Sequence, residues 1–393
     1  MTRPSFVRRI RANAAHLLAL VRGVEDREYR PLDAEWHNIL QAIEFGLDHE
    51  EALAETAELW QALIGFIESR GYFGTWQAVT WKVAAKIPLL PPELACRVAN
   101  EAGFFFQKVN DPSRSLEMHA AALKSAGEAG NRFERALAIL GNGNARVALR
   151  LYDQAETDIR EALEILDELD EGRLHHASGV ELLGLIASNR GDYPEAERLL
   201  SQSAKGYLEA GHHRKAANAF YNLGFTQDLA GKYREAIETL EAALKLLKPG
   251  IDRIAWANVY LAMGTSYFHL RDYPRAKKTF QAIDLQFLEK HGLLEQLMWT
   301  TNNLGNVALK ELEWKLAWDY LSYSIRLART LGNGISLGNS LGDLAEALLN
   351  LGKRDAARSA LDEAIEALEN YPENDWARKR LAAILAQRRD AFG

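Results

Sequence analysis

Asparagine is the residue whose placement asks for a chemical reason. It recurs inside stretches that otherwise read as helix, at Asn144, Asn218, Asn222, Asn258, Asn302, Asn303, Asn306 and Asn339. Asparagine is a mediocre helix former, so its repetition on helix after helix needs a cause outside propensity. A carboxamide carries one donor group and one acceptor, the same pair that a peptide group carries. A ladder of such amides can pair with an extended backbone, leaving Tyr221, Phe225, Phe268 and Trp299 to hold side chains. The competing reading is structural, with the same amides satisfying polar groups on neighbouring elements.

Other chemistry is hard to assemble. The chain has no G-x-x-x-x-G-K-[ST] phosphate loop, and "GNGN" at Gly141 to Asn144 lies inside a helical pattern with no strand before it. His175-His176 and His212-His213 are adjacent pairs, and neighbours on a helix do not face each other, so metal ligation is not expected of them. The carboxylates of "DELDEG", Asp167 to Gly172, read as solvated helix-end charges rather than a general acid and base. Cys96 is the only cysteine, which rules out an intrachain disulfide and fits a cytoplasmic protein. Its place in "LACRVA" predicts a small core residue. No catalytic residue, metal site or cofactor is expected, and the chain is read as not being an enzyme.

The bulk properties narrow the partner. A net charge of −7 with mixed signs provides no basic stripe for nucleic acid. The longest apolar runs, such as Ala14 to Val21, fall well short of the roughly 18 residues needed to span a bilayer. With 48% apolar residues the 393-residue chain can bury a large core. Neither nucleic acid nor a membrane is expected as a partner.

The elements that must position the amides follow from internal repetition. Tyr152, Tyr193, Tyr233, Tyr273, Trp314 and Arg354 are separated by 41, 40, 40, 41 and 40 residues, and each is followed three residues later by alanine. Nine residues before them stand Gly143, Gly184, Gly224, Gly264, Gly305 and Ala345. A glycine inside a helical pattern costs up to ~1 kcal/mol, so its recurrence predicts a close helix crossing. Apolar residues at helical spacing around these anchors make each unit a helix, a tight turn and a second helix, and stacking on neighbours supplies the core. Trp314, at the tyrosine place, is expected in that core.

The pattern resembles the tetratricopeptide repeat in its long form of about 40 residues, best matched by Phe220, Leu223, Gly224, Tyr233, Ala236, Leu240 and Ala243. Departures stand at Asn142 in the leucine place and at Ser203 and Ile283 in the last alanine place. A further unit carries Gly103 and Pro112, and a degenerate one carries Gly71, Phe73 and Trp76. Ahead of them, Glu35, Asn38, Ala42, Phe45 and Trp60 resemble the segment that opens the repeat region of bacterial signal-transduction ATPases and antibiotic-pathway regulators. The expected organisation is an N-terminal helical segment at 1–49, the repeat array at 50–370 and a polar capping helix at 371–393. The resemblance implies an all-α, right-handed superhelix whose first helices line a concave groove.

In such a groove fall Asn144, Asn218, Tyr221, Asn222, Phe225, Asn258, Phe268, Trp299, Asn302, Asn303, Asn306 and Asn339. The amide row resembles the asparagine ladders of peptide-binding tetratricopeptide proteins such as kinesin light chain and bacterial peptide-pheromone receptors. The implied function is a peptide- or protein-binding module, the sensor part of a signalling or regulatory system, with a signalling ATPase or other effector as partner. The alternative is a scaffold that docks folded partners, or itself, through its outer surface.

Overall fold

A computed structural model describes residues 3–24, 29–70, 72–169, 172–248, 250 and 252–393. Gly71, read as the glycine of a degenerate repeat, lies outside them. Among the described residues the chain forms twenty-one α-helices, two short 3-10 turns and no strand. It divides into two compact units, Met1–Ala210 and Gly211–Gly393.

The first unit runs α1 (Arg3–Arg22), α2 (Arg30–Leu47), α3 (Leu53–Ala62), α4 (Ile64–Arg70) and α5 (Phe73–Lys86), then three regular hairpins. These are α6 (Pro92–Lys108) with α7 (Pro112–Ala129), α8 (Arg132–Ala148) with α9 (Tyr152–Asp167), and α10 (Arg173–Asn189) with α11 (Tyr193–Glu209). Trp60, Phe66 and Trp76 are fully buried in its largest apolar cluster. Cys96 is fully buried too, and burial pushes its thiol up to about 11, which makes it a core residue rather than a nucleophile.

The second unit repeats the hairpin: α12 (His213–Leu229) with α13 (Tyr233–Leu246), α14 (Arg253–His269) with α15 (Tyr273–Gln281) and α16 (Leu285–Lys290). It continues with α17 (Leu294–Lys310) and α18 (Trp314–Leu331), α19 (Gly334–Asn350) and α20 (Arg354–Glu369), and ends on α21 (Asp375–Phe392). Successive first helices α12, α14, α17 and α19 pack on one another as well as on their hairpin partners. Side by side they form one wall. Trp314 packs, partly buried, against the apolar cluster around Leu321 and Leu361.

The repeat glycines sit where the sequence predicts a close crossing. A Cβ on Gly143, Gly184, Gly224, Gly264 or Gly305 would come within 2.6, 2.8, 2.7, 2.4 and 2.6 Å of Ile159, Leu200, Leu240, Phe280 and Leu321 respectively. Each notch thus receives the side chain sixteen residues further on, a knob from the second helix. Every knob except Ile159 is a leucine or phenylalanine whose burial stabilises the hairpin by roughly 1.5–3 kcal/mol.

The hairpin turns share one left-handed residue, two places before the tyrosine position. It is glycine at Gly191, Gly231 and Gly352, with φ of 81°, 79° and 72°, but Arg150, Arg271 and Leu312 hold φ of 60°, 61° and 62° at the same place. The turn is therefore imposed by the packed hairpin even where the residue is unfavourable. Asp192 and Asp272 then cap the second helices, their carboxylates accepting from the N–H of Glu195 and Arg275, with Pro194 and Pro274 in the first turn.

The departures from the repeat pattern have local causes. Ser203 and Ser324, in the last alanine place, are fully buried and donate to the carbonyls of Ala177 and Met298 at 2.8 and 3.2 Å. Both bonds span twenty-six residues, so the hydroxyl does the same task in two repeats. At Ile283, in that place, the second helix breaks into α15 and α16, restarted by the Asp284 cap on Phe287, and Ile283 itself is buried between them.

Candidate functional site

The wall of first helices in the second unit carries most of the amides. Asn218, Asn258, Trp299 and Asn339 each stand six residues before Gly224, Gly264, Gly305 and Ala345. They therefore hold one register on α12, α14, α17 and α19. Asn218 is exposed and Asn258 half-buried, and neither side chain hydrogen-bonds to any described residue; the same holds for half-buried Asn303. Their donors and acceptors are unspent.

Aromatic side chains lie among them. Phe225 is 48% exposed and stacks on Tyr221 with ring centres 6.5 Å apart. Tyr221 is half-buried, and burial raises its phenol above the ordinary value. Asn222 is half-buried and already has an interaction partner. Phe268 instead packs into the core, 5.4 Å from the Tyr273 ring.

At the end of the wall the structure brings three of the sequence-selected residues together. Trp299, Asn302 and Asn339 line a cavity of about 220 Å³ with Met298, Ile335 and Trp376. Its polar floor is internally bonded. Asn302 Nδ2 donates to Ser340 Oγ at 2.9 Å, Ser340 and Ser324 share a bond of 3.1 Å, and Asn306 Nδ2 donates to Asn302 Oδ1 at 3.2 Å. Asn302 and Asn306 thus spend part of their capacity on neighbouring groups. Trp376, on α21, was not among the sequence-selected residues; its signal is a lone indole, 49% exposed, in the polar run "ENDWARKRL". Beside the cavity Arg380 donates to the Asp343 carboxylate and to the Asn339 carbonyl at 3.3 Å. Burial pushes the Asp343 carboxyl up, and the Arg380 charge opposes that shift.

Asn144 has a different setting, in the first unit. Its Nδ2 donates to Gln107 Oε1 at 2.6 Å, and Gln107 Nε2 donates to the Gly141 carbonyl at 3.0 Å and lies 3.4 Å from His119 Nε2. His119 Nδ1 meets Asn100 Oδ1 at 3.1 Å, and Asn100 Nδ2 donates to the Glu134 carboxylate at 2.7 Å. His119 is fully buried and desolvation lowers its pKa to about 3, so the ring is neutral.

One cluster contains the residue types of a nucleophilic triad. Buried Asp228 accepts from Ser266 Oγ at 2.7 Å and pairs with His269 Nδ1 at 3.0 Å, which raises the His269 pKa. The carboxylate stands between the other two, so the imidazole cannot take the serine proton, and Ser266 is fully buried. The cluster ties α14 to α12. Of the adjacent histidines, His175 stacks edge-on against Phe133 at 5.4 Å and His176 pairs with Asp167 at 3.1 Å, while His212 and His213 are exposed. No helix among the described residues is long and apolar enough to cross a membrane.

Two family models, each described as tetratricopeptide repeat, match residues 177–248 and 339–370. No curated protein matches the sequence. Among solved structures, a signal transduction ATPase with numerous domains and a tetratricopeptide repeat sensor, from Pyrococcus horikoshii, is similar at a TM-score of 0.63 and 14% identity, over 95% of this chain and 56% of that one. A Rap protein complexed with competence and sporulation factor is similar at 0.55 and 16%, over 87% and 99%. NprR in complex with its cognate peptide NprX is similar at 0.50 and 16%, over 75% and 83%. At these identities the likeness is one of fold, that of tandem helical hairpins, and the chain carries tetratricopeptide repeats.

Proposed function

We propose that this chain is a non-enzymatic module that binds an extended peptide or protein segment along the first-helix wall of its second unit, as the sensor part of a signalling or regulatory system with an effector such as a signalling ATPase. The observation that carries the reading is the set of unspent carboxamides of Asn218, Asn258 and Asn303, with Phe225 and Trp299 48% and 42% exposed on the same helices. Amides without an internal partner on successive helices match the spacing problem of holding a backbone, and exposed aromatics offer the apolar contacts that anchor side chains. NprR, which shares the fold, is known in complex with a cognate peptide. The Asp228–Ser266–His269 arrangement supports the absence of hydrolytic chemistry.

The test is selection of peptides from a displayed library on the full chain, followed by calorimetric titration of the Asn218→Ala/Asn258→Ala/Asn303→Ala variant. Each amide contributes a net ~0.5–1.5 kcal/mol, so affinity should fall roughly tenfold or more at unchanged melting temperature. Failure to select any peptide, or a variant that binds as the wild type does, would overturn the reading. A second reading, docking of a folded partner, is favoured by a separate groove of about 850 Å³ between α1 and α2, flanked by Phe6 and Phe45 at 43% and 59% exposure. Phe45→Ser would abolish that docking and leave peptide binding intact.

A further inference from the structure

We propose that the cavity between α17, α19 and α21 is an anchor pocket for one large, uncharged aromatic side chain of a bound peptide, and that α21 is part of the recognition surface and not only a terminal cover. The inference rests on the peptide-binding role proposed above. Size sets the first limit: about 220 Å³ is below the ~300–1,000 Å³ of drug-sized pockets and fits a single side chain. Charge sets the second. No ionisable side chain lines the cavity, and the nearest ion pair, Asp343 with Arg380, lies beside it with its charges opposed to each other.

Polar satisfaction separates the floor from the rim. Asn302, Ser324 and Ser340 bond to one another and to the Met298 carbonyl, so both hydroxyl protons and part of the Asn302 amide are already spent and a polar end on the ligand gains little at the floor. The side chains of Asn339 and Ser336, also on the lining, make no hydrogen bond among the described residues. An apolar side chain inserted on the floor would lay its own peptide group across these two. Trp299 and Trp376 stand 42% and 49% exposed on α17 and α21, and indole faces favour an aromatic guest over an aliphatic one. A lysine or arginine guest could stack on the same indoles, but no carboxylate lines the cavity to receive its charge.

The probes are N-acetyl-phenylalaninamide and N-acetyl-lysinamide, titrated onto the full chain and followed by ligand-observed NMR. The phenylalanine amide should bind at least roughly fivefold more tightly than the lysine amide. Trp376→Ala should weaken it by roughly fivefold or more, the size of one lost aromatic contact. Trp376 is half out in solvent, so its removal should leave the melting temperature in place, and Trp376→Phe should restore most of the affinity. Equal binding of the two probes, no binding of either, or an indifferent Trp376→Ala overturns the pocket. None of these outcomes touches the wider reading, because Asn218, Asn258 and Asn303 do not line the cavity and are tested with selected peptides.

Discussion

The hairpins around α6–α8 and those of α12–α19 are built on the same repeat, yet some of their amides meet opposite fates. In the first, Asn100, Gln107 and Asn144 are drawn into a chain of bonds around His119 and Glu134. In the second, Asn218, Asn258 and Asn303 have no internal partner. The difference lies in the knob. Sixteen residues after Gly103 stands His119, its ring in the notches of both Gly103 and Gly141, where the other repeats present Ile159, Leu200, Leu240, Phe280 and Leu321. A polar knob buried in a glycine notch requires polar neighbours, and the first helices supply them. An apolar knob requires none, and on the helices that receive one Asn218, Asn258 and Asn303 keep their amides unspent while Asn302 and Asn306 bond to other polar side chains. An asparagine in a repeat is thus not by itself a ligand residue: Asn144, Asn302 and Asn306 are taken up by neighbouring polar side chains even where the knob opposite their glycine is apolar.

The largest effect should come from breaking the closed network. Asn100→Ala removes the partner of the buried His119 Nδ1 and one donor to the Glu134 carboxylate, and an orphaned buried group costs ~1–3 kcal/mol, so stability should fall by ~1–3 kcal/mol in urea unfolding. Adding His119→Leu, which gives this repeat the knob of the others, should recover part of the loss. Additivity of the two changes would mean that the histidine and the amide are not one unit.

Next comes the notch itself in the second unit. Gly264→Leu pushes its side chain into the Phe280 ring, which a Cβ alone would already approach to 2.4 Å. Overpacking of this kind costs ~1–3 kcal/mol. A variant as stable as the wild type would show that the crossing can open without cost.

Much of this was legible in the sequence, and for a definite reason. The notch glycines, the knobs and the capped turns repeat every 40 or 41 residues, so each position is read several times over and one exception does not hide the rule. What was not legible depends on a single residue or on a residue outside the period. The break between α15 and α16 falls at one departure from the pattern, Ile283, which the sequence marked without showing that the helix is interrupted there. The His119 network could have been found by asking what stands sixteen residues after Gly103. Trp376 could not be found by any repeat, because α21 holds no glycine and so lacks the notch that marks the repeat. Asn144 was grouped with the other amides by its place after Gly143, and only the three-dimensional neighbours reveal that Gln107 takes it up.

The two regions should also titrate in opposite senses. His119 stays neutral in the folded chain down to about pH 3, whereas the unfolded chain takes up that proton near the ordinary value of 6.5. Its burial therefore favours the folded state fully above about 6.5 and progressively less as pH falls toward 3. His269 is held above the ordinary value by the Asp228 carboxylate. Its contribution is complete below about 6.5 and fades as pH rises through the folded value. Melting curves from about pH 5 to 8 separate them: His119→Leu should gain on the wild type as the solution becomes acidic, and His269→Asn should fall furthest behind there and converge with it at alkaline pH. The same slope for both would mean that one of the two rings has been assigned the wrong partner.

The smallest effect on stability should come from the amides whose capacity is unspent, and there the smallness is the evidence. Asn303→Ala and Asn258→Ala remove no internal hydrogen bond and install a better helix former, so stability should stay within ~0.5 kcal/mol of the wild type, on the favourable side. Asn306→Ala differs, because its Nδ2 serves Asn302 Oδ1 at 3.2 Å, its side chain also hydrogen-bonds the Asp343 carboxyl, and its loss strips both of a partner. It should destabilise by up to ~1 kcal/mol. Three alanines on one helix wall thus report two different settings of the same side chain. With a selected peptide in the calorimeter the order should invert: Asn303→Ala and Asn258→Ala weaken binding by ~0.5–1.5 kcal/mol each, and Asn306→Ala by less. A chain in which Asn303→Ala melts early and binds normally would move Asn303 into the class of Asn100, and the contrast between the two regions would no longer separate structure from recognition.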